Sequence, residues 1–296
     1  MNSSNFSQRG TARFQLYPFL VKRQLRGNIS CVAAASLNPP FRVQYSPMPT
    51  PINHLIMARE VLEMGALTAA ARQLLQAHYG PFLLGHTAPD VQTVSGQRRE
   101  ETHFYTLPPR STTPAAQALL DAYPALARAE RLEPAHAAFM SGYLAHLLAD
   151  ELWWREVFHP FFGPDAGWDT WEERLFLHNV LRTWLDEQDQ NRLDGREATA
   201  LAGVEPRGWL PFIRDEDLRA WRDDLVAQLQ PGRRIRTAEV FAERMGVSAE
   251  MVEMAAHSPE RMAWIFQHAP PERLQAYREA VLHRSTHLIN VYLREL

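Results

Sequence analysis

The chain has 296 residues, with 31 lysines and arginines against 34 aspartates and glutamates, a formal net charge of −3 and a single cysteine. One cysteine excludes a disulfide framework and a cysteine-based zinc cluster. Apolar residues make up 46% of the chain, and no stretch approaches the ~20 apolar residues of a membrane span. We therefore expect a chain that buries a sizeable core and does not cross a bilayer.

The charge is distributed unevenly along the chain. Residues 1–47 contain six basic and no acidic side chains, so they carry +6 and the rest carries −9 to reach the total of −3. We interpret residues 1–47 as an extension that is disordered or does not belong to the native protein, whose first residue would then be Met48. An export signal and an arginine-rich nucleic-acid-binding arm are the alternatives. Without an export signal, the expected location is cytoplasmic.

From Pro49 onward, the pattern is typical of one helix after another, with proline or a small polar residue at the start of each. We predict helices over 51–80, 114–130, 134–159, 171–189, 215–230, 237–245, 248–257, 259–268 and 271–296. Gly80 is expected to end the first helix, and Asp169 to cap the helix that begins at Trp171. Alternating β-branched runs are almost absent. The predicted fold class is all-α, with a helical domain over 48–190 and a helical C-terminal region over 191–296 packed on it.

One predicted helix carries an ionisable pair among apolar neighbours. His146 and Asp150 lie one turn apart, so both project from the face that also holds Tyr143 and Trp153. A buried carboxylate is costly unless it is paired or binds a metal ion. The pair is therefore either a buried hydrogen bond within the core or part of a metal site.

Further metal-ligand residue types occur in three other places. His54 lies in the first turn of the first predicted helix, and Asp90 and His103 lie in the irregular stretch 87–109. Such long connections are usually functional or disordered. Nitrogen and carboxylate ligands without cysteine are typical of zinc sites that keep a position open for water. The sequence therefore predicts a zinc site.

The order of four motifs resembles the bacterial zinc-dependent phospholipase C family, whose all-helical superfamily includes zinc nucleases that cut single strands. The motifs are TPINH, FLLGHTAPD, ETHF and SGYLAHLLADELW, and the resemblance covers 49–189, roughly half of the chain. It implies a multi-helix phospholipase C-like bundle with a helical C-terminal extension. The implied activity is hydrolysis of phosphodiester bonds by zinc-bound hydroxide.

The resemblance also implies individual roles. It makes His54 a metal ligand, and it makes Asp90 and His103 ligands of a neighbouring zinc ion. It makes His146 a further ligand and Asp150 a carboxylate that bridges two ions. Asp90 is in addition the candidate catalytic residue, which would orient or deprotonate the attacking water.

This sequence departs from the family pattern at three positions. The family uses a mature N-terminal tryptophan as a ligand, and no tryptophan precedes His54. One later histidine of the family corresponds to Glu156 in this sequence. Another corresponds to His178, but the glutamate that follows it one turn later in the family is replaced by Arg182. We therefore expect one or two zinc ions rather than three. The candidates for further ligands or supporting residues are three histidines, His86, His159 and His178.

The expected substrate is a phospholipid or a similar phosphate ester. A group of aromatic residues over 153–171 is either core or an apolar rim for peripheral membrane contact. Residues 240–256 resemble a helix-turn-helix, but the second helix has two glutamates and no basic residue, so nucleic acid is not the expected partner. Two alternatives stay open, namely a non-catalytic zinc-binding interaction protein and a single-strand nuclease of the same superfamily.

Overall fold

The order of elements agrees with the predicted fold class. The computed structural model describes residues 48–230 and 232–294, which form fourteen α-helices and no β-strand. The all-α prediction is therefore confirmed for this part of the chain. The predicted extension 1–47 lies outside the described residues. None of the described helices is long and apolar enough to cross a membrane.

The first seven helices contain every residue that the sequence assigned to the metal site, apart from Asp90. They are α1 (Pro51–Glu63), α2 (Ala69–Ala77), α3 (Tyr79–Gly85), α4 (Gln92–Ser95), α5 (Arg99–His103), α6 (Ala115–Ala122) and α7 (Pro134–Trp153). Asp90 lies in a 3₁₀ turn, Ala88–Val91, between α3 and α4. A π-helical segment, Trp154–Phe162, continues α7 without a break.

The last seven helices follow this region along the chain. They are α8 (Trp171–Gln190), α9 (Arg196–Ala202), α10 (Asp215–Gln228), α11 (Thr237–Met245), α12 (Ala249–Ala256), α13 (Pro259–His268) and α14 (Pro271–Tyr292). The helix-turn-helix resemblance corresponds to α11 and α12, which both pack against α8.

Five of the fourteen described α-helices begin at a threonine or serine whose side chain caps the first turn. Thr50 caps α1 as predicted, because its hydroxyl accepts a hydrogen bond from the Asn53 N–H at 3.2 Å. The predicted cap at Asp169 is wrong by one residue. Thr170 caps α8 instead, and Asp169 is in the left-handed region with a φ of 52°, where its carboxylate accepts a hydrogen bond from the Thr170 N–H.

The predicted single helix over 51–80 is wrong, because the chain forms three helices there. A turn follows α1, and Thr68 caps the start of α2. Gly80 does not end a helix but lies inside α3, where the backbone of α9 approaches closely. A Cβ atom at Gly80 would lie 2.2 Å from the Ala200 carbonyl oxygen. The glycine therefore serves helix packing rather than helix termination.

Helices α3 and α7 cross in backbone contact. A Cβ atom on Gly85 would lie 1.9 Å from the Phe139 carbonyl oxygen, and one on Gly142 would lie 2.2 Å from the Phe82 carbonyl oxygen. Only glycine permits this approach. The crossing brings the end of α3, and with it His86, against the middle of α7.

Two hydrophobic clusters form the core. The first includes apolar residues of α1, α3, α6 and α7 together with Leu201, Trp221 and Ile289 from the C-terminal region. The second lies around the end of α7, the π-helical segment and α8, and it includes Val252 and Val281. Residues after 190 therefore contribute to both clusters, and the candidate site lies on α7 where the two clusters meet.

Candidate metal centre

Helix α7 supplies two of the predicted ligands, His146 and Asp150, and both side chains are completely buried. The His146 Nε2 atom lies 3.7 Å from the Asp150 Oδ2 atom. The His146 Nδ1 atom lies 3.0 Å from the His86 carbonyl oxygen. Because a carbonyl only accepts, Nδ1 carries the hydrogen, and this leaves the lone pair of the neutral ring on Nε2.

The stretch 87–109 adds His103 and Asp90 to this pair. His103 ends α5, and its Nε2 atom lies 3.4 Å from both the Asp150 Oδ2 atom and the His146 Nε2 atom. The same Nε2 atom lies 3.7 Å from the Asp90 Oδ1 atom. The His103 Nδ1 atom lies 2.9 Å from the Thr102 hydroxyl and 3.3 Å from the Arg99 carbonyl oxygen, so Nε2 is the ring nitrogen that faces the cluster.

His54 reaches the cluster from α1. Its ring stacks on that of His146, with centroids 3.9 Å apart, and its Nε2 atom lies 3.3 Å from the Asp150 Oδ1 atom. The contact lacks hydrogen-bond geometry, and both His54 nitrogens and Asp150 Oδ1 are buried without a hydrogen-bond partner. Asp150 therefore directs one oxygen at His54 and the other at His103 and His146.

These side chains fit a metal ion. Two atoms bonded to zinc at ~2.0–2.1 Å in a tetrahedral arrangement lie about 3.4 Å apart, close to the separations around His103. Two groups among the described residues have ligand atoms within 4.8 Å of one another, namely His54, Asp90 and His146, and His103, His146 and Asp150. Both groups need the single Nε2 lone pair of His146. One ion therefore uses His146, and these buried histidines and aspartates can hold it.

The electrostatics of the cluster favour the protonation states that bind a metal ion. Burial lowers the pKa of His54 to about 4, helped by the neighbouring His146, and lowers the pKa of His103 well below its usual value. Burial raises the pKa of Asp150, but the adjacent imidazoles, first that of His146, hold it well below its usual range. Neutral imidazoles and an ionised carboxylate are the forms that bind metal.

His146 is the exception among these histidines. Burial lowers its pKa, but the Asp150 carboxylate outweighs burial, so the pKa lies above its usual value. The Nε2 atom of His146 therefore retains a proton to a higher pH than the Nε2 atoms of His54 and His103. A cation bound at this nitrogen would take the place of that proton.

Arg99 is a member of the cluster that the sequence analysis missed. Its Nη2 atom donates to the Asp150 Oδ2 atom at 2.8 Å and to the Tyr105 hydroxyl at 2.7 Å. The guanidinium carbon lies 4.5 Å from the centre of the Tyr105 ring. The available signal was the spacing of Arg99 and His103, which are one turn apart and therefore share a face of α5. The charged run around them obscured that signal.

His86 also belongs to this region. Its ring centroid lies 5.7 Å from that of His54, and its backbone carbonyl orients His146. The side chain is fully buried, and neither ring nitrogen has a hydrogen-bond partner. Burial lowers the pKa of His86 well below its usual value, so the ring is neutral. His86 thus lies beside the predicted ligands, as a supporting residue would.

The structure places the other two candidate histidines elsewhere. The His178 Nε2 atom accepts a hydrogen bond from the Trp153 indole at 3.1 Å, and the ring packs between Phe158 and Phe162 in the second hydrophobic cluster. His159 is exposed on the π-helical segment. Neither histidine is in a candidate metal group of the described residues.

The aromatic residues over 153–171 are mostly core. Four of them are buried, namely Trp153, Phe158, Phe162 and Trp168. The remaining three, Trp154, Phe161 and Trp171, are partly buried and pack against the second hydrophobic cluster. Of the two interpretations of this aromatic group, the packing therefore favours core over an exposed rim.

Comparison of the chain with protein-family models, with curated proteins and with solved structures finds no match in any of the three. The resemblance to the zinc-dependent phospholipase C family is therefore carried by its motifs alone.

Proposed function

We propose that the chain is a zinc-dependent phosphodiester hydrolase of the phospholipase C type. The observation that carries this proposal is the convergence of His103, His146 and Asp150, with ligand atoms 3.4–3.7 Å apart in a buried cluster. Two of them lie on α7 and the third on α5, so two segments of the resemblance meet where its implied ligands are needed. Zinc, when bound, lowers the pKa of a water molecule to about 7 and so supplies a nucleophile at neutral pH.

The residues of the chain take distinct roles in this proposal. His103, His146 and Asp150 would hold a first ion, and Asp150 together with His54 would offer ligands for a second. Asp90 accepts and releases protons, because burial raises the pKa of its carboxyl towards neutrality. Its side chain is 12% exposed, so the carboxylate can exchange protons with solvent.

The substrate of this proposal is a phospholipid or a similar phosphate ester. A single-stranded nucleic acid is the less favoured substrate, because residues 48–296 carry a net charge of −9 and would repel a polyanion. The same cluster of ligands would serve either substrate, so charge rather than site geometry favours the phosphate ester.

Burial of the cluster favours a second candidate, a non-catalytic protein with a structural metal ion. The side chains of His54, His103, His146 and Asp150 have no solvent exposure. Structural zinc sites are closed, whereas catalytic sites keep a position open. The two candidates share the metal ion and differ in turnover.

The decisive experiment combines metal analysis with turnover. Purified protein is stripped of metal, reloaded with zinc and analysed by elemental mass spectrometry, and hydrolysis of bis(p-nitrophenyl) phosphate is then measured. We expect one or two zinc ions per chain and turnover that depends on zinc. His146→Ala should lower zinc affinity at least ~100-fold and abolish turnover, since it removes a ligand. His283→Ala, which changes an exposed histidine on α14, is the matched control and should change neither.

The outcomes separate the candidates. Wild-type protein that takes up no zinc contradicts both candidates. Zinc binding that depends on His146, without turnover of the diester, of phospholipid vesicles or of single-stranded DNA, contradicts the hydrolase and supports the structural ion. Turnover that His146→Ala leaves intact contradicts the proposed site.

A further inference from the structure

Arg99 places a fixed positive charge beside the candidate metal centre. It lies in α5, one turn before His103, and its side chain is only 10% exposed. The Nη2 atom uses its two hydrogens on the Asp150 carboxylate and the Tyr105 hydroxyl. These two contacts, together with the Tyr105 ring below the guanidinium, hold the group in one orientation.

The rest of the Arg99 guanidinium has no acceptor. Its Nε and Nη1 atoms are buried and have no hydrogen-bond partner. A guanidinium carries five N–H donors, of which the two on Nη2 are used, so those on Nε and Nη1 remain. Buried donors of a charged group without acceptors cost several kcal/mol, so the arrangement calls for an acceptor of opposite charge.

The exposed edge of the cluster is where such an acceptor can arrive. In the cluster, the side chains of His54, His103, His146 and Asp150 have no exposure, whereas those of Arg99 and Asp90 are 10% and 12% exposed. A ligand from solvent therefore meets these two side chains first.

We infer that Arg99 is an anion-binding residue that takes up an oxygen of the substrate's phosphate group through a donor on its unpartnered Nε or Nη1 atom. This inference rests on the proposed function and adds to it the residue that would recognise the phosphate. A guanidinium matches phosphate oxygens well because its donors are planar, fixed and always charged. Since Asp150 and Tyr105 already fix the group, little ordering is needed when the anion binds.

Inorganic phosphate is the probe for this inference. Phosphate is titrated into zinc-loaded wild-type protein and its variants by calorimetry, and the zinc content of each sample is measured in parallel. In samples that are reloaded to equal zinc content, Arg99→Met should weaken phosphate binding at least ~10-fold. Arg99→Lys should be intermediate, because lysine keeps the charge but not the fixed donors. Arg98→Met is the matched control, since Arg98 is the exposed neighbour that pairs with Glu101, and it should bind phosphate like the wild type.

A second measurement is made on the wild-type protein, whose fold no substitution disturbs. In ¹⁵N-labelled zinc-loaded protein, phosphate should shift the Arg99 Nε–H resonance. This resonance is assigned by its absence from the spectrum of Arg99→Lys, or with the help of selectively labelled wild-type protein. An unshifted resonance at saturating phosphate, or equal phosphate affinity in wild type and Arg99→Met, overturns the inference. Wild-type protein that binds zinc but no phosphate overturns it as well. Protein that takes up no zinc instead overturns the proposed function, and the inference with it.

Discussion

Asp150 explains how a buried carboxylate is accommodated in this core. Its side chain has no solvent exposure, yet it lies on an otherwise apolar face of α7. Arg99 compensates its charge directly at 2.8 Å, and three imidazoles lie within 3.7 Å of its two oxygens. The sequence argument that a buried aspartate needs a partner was therefore sound, but it named only His146 on the same helix. Its other contacts come from α1 and α5.

At the same scale, His178 offers a test of which histidines are ligands. His178→Ala should lower the free energy of unfolding by about 3 kcal/mol, because it leaves a cavity among Phe158 and Phe162 and removes the acceptor of the Trp153 indole. Zinc content should stay at the wild-type value. Urea denaturation and elemental analysis measure the two quantities. Loss of zinc in a folded His178→Ala protein would show that His178 is a ligand.

At the scale of elements, the crossing of α3 and α7 determines the site geometry. The backbones touch at Gly85 and Gly142, and the carbonyl of His86 is thereby positioned to accept a hydrogen bond from His146. Close backbone packing thus fixes which ring nitrogen of His146 is available. The GHTAPD motif begins at this crossing and continues along the chain. One packing contact therefore positions both the α7 ligands and the turn that holds Asp90.

Gly142→Ala tests this role of the crossing. The added Cβ atom would lie 2.2 Å from the Phe82 carbonyl oxygen, so the helices must separate. We expect a loss of more than ~2 kcal/mol of unfolding free energy and weaker zinc binding. Gly65→Ala is the control, because a Cβ atom there meets nothing within 4 Å, and its effect should stay within ~0.5 kcal/mol. Equal melting temperatures for the two variants in calorimetry would contradict the assigned contact.

At the scale of the whole molecule, the C-terminal helices complete the core rather than extend it. Helix α14 packs against α1 and α7, and the Tyr277 hydroxyl donates to the Ala149 carbonyl oxygen at 3.3 Å, one residue from Asp150. Apolar residues of α9, α10 and α14 join the first hydrophobic cluster. The helices that carry the candidate ligands therefore depend on residues far along the chain.

Two truncated chains test this dependence. A chain of residues 48–296 should keep the helical circular dichroism, the cooperative thermal transition and the zinc content of the full chain. A chain of residues 48–190 should lose the cooperative transition, because both hydrophobic clusters lose apolar partners such as Trp221 and Val281. Cooperative melting of the shorter chain with bound zinc would show that 48–190 is an independent domain.

The sequence by itself predicted the helical class, the bounds of most helices after residue 133, and the histidines and aspartates of the candidate site. Periodicity, proline and capping residues act over a few residues, so these features can be recognised locally. For the same reason, the pair on α7 could be recognised from its spacing alone. The division of 51–80 into three helices and the packing role of Gly80 were missed, because they depend on contacts with distant segments.

Only the tertiary structure decided which candidates meet. It joined His54, Asp90, His86 and His103 to the pair on α7, and it placed His178 beside Trp153. It also revealed Arg99, whose charge looks like surface charge in the sequence but is buried against Asp150. The physical reason is that burial, the direction of a side chain and contact between distant segments follow from how helices pack. The linear sequence carries no local signal for that packing.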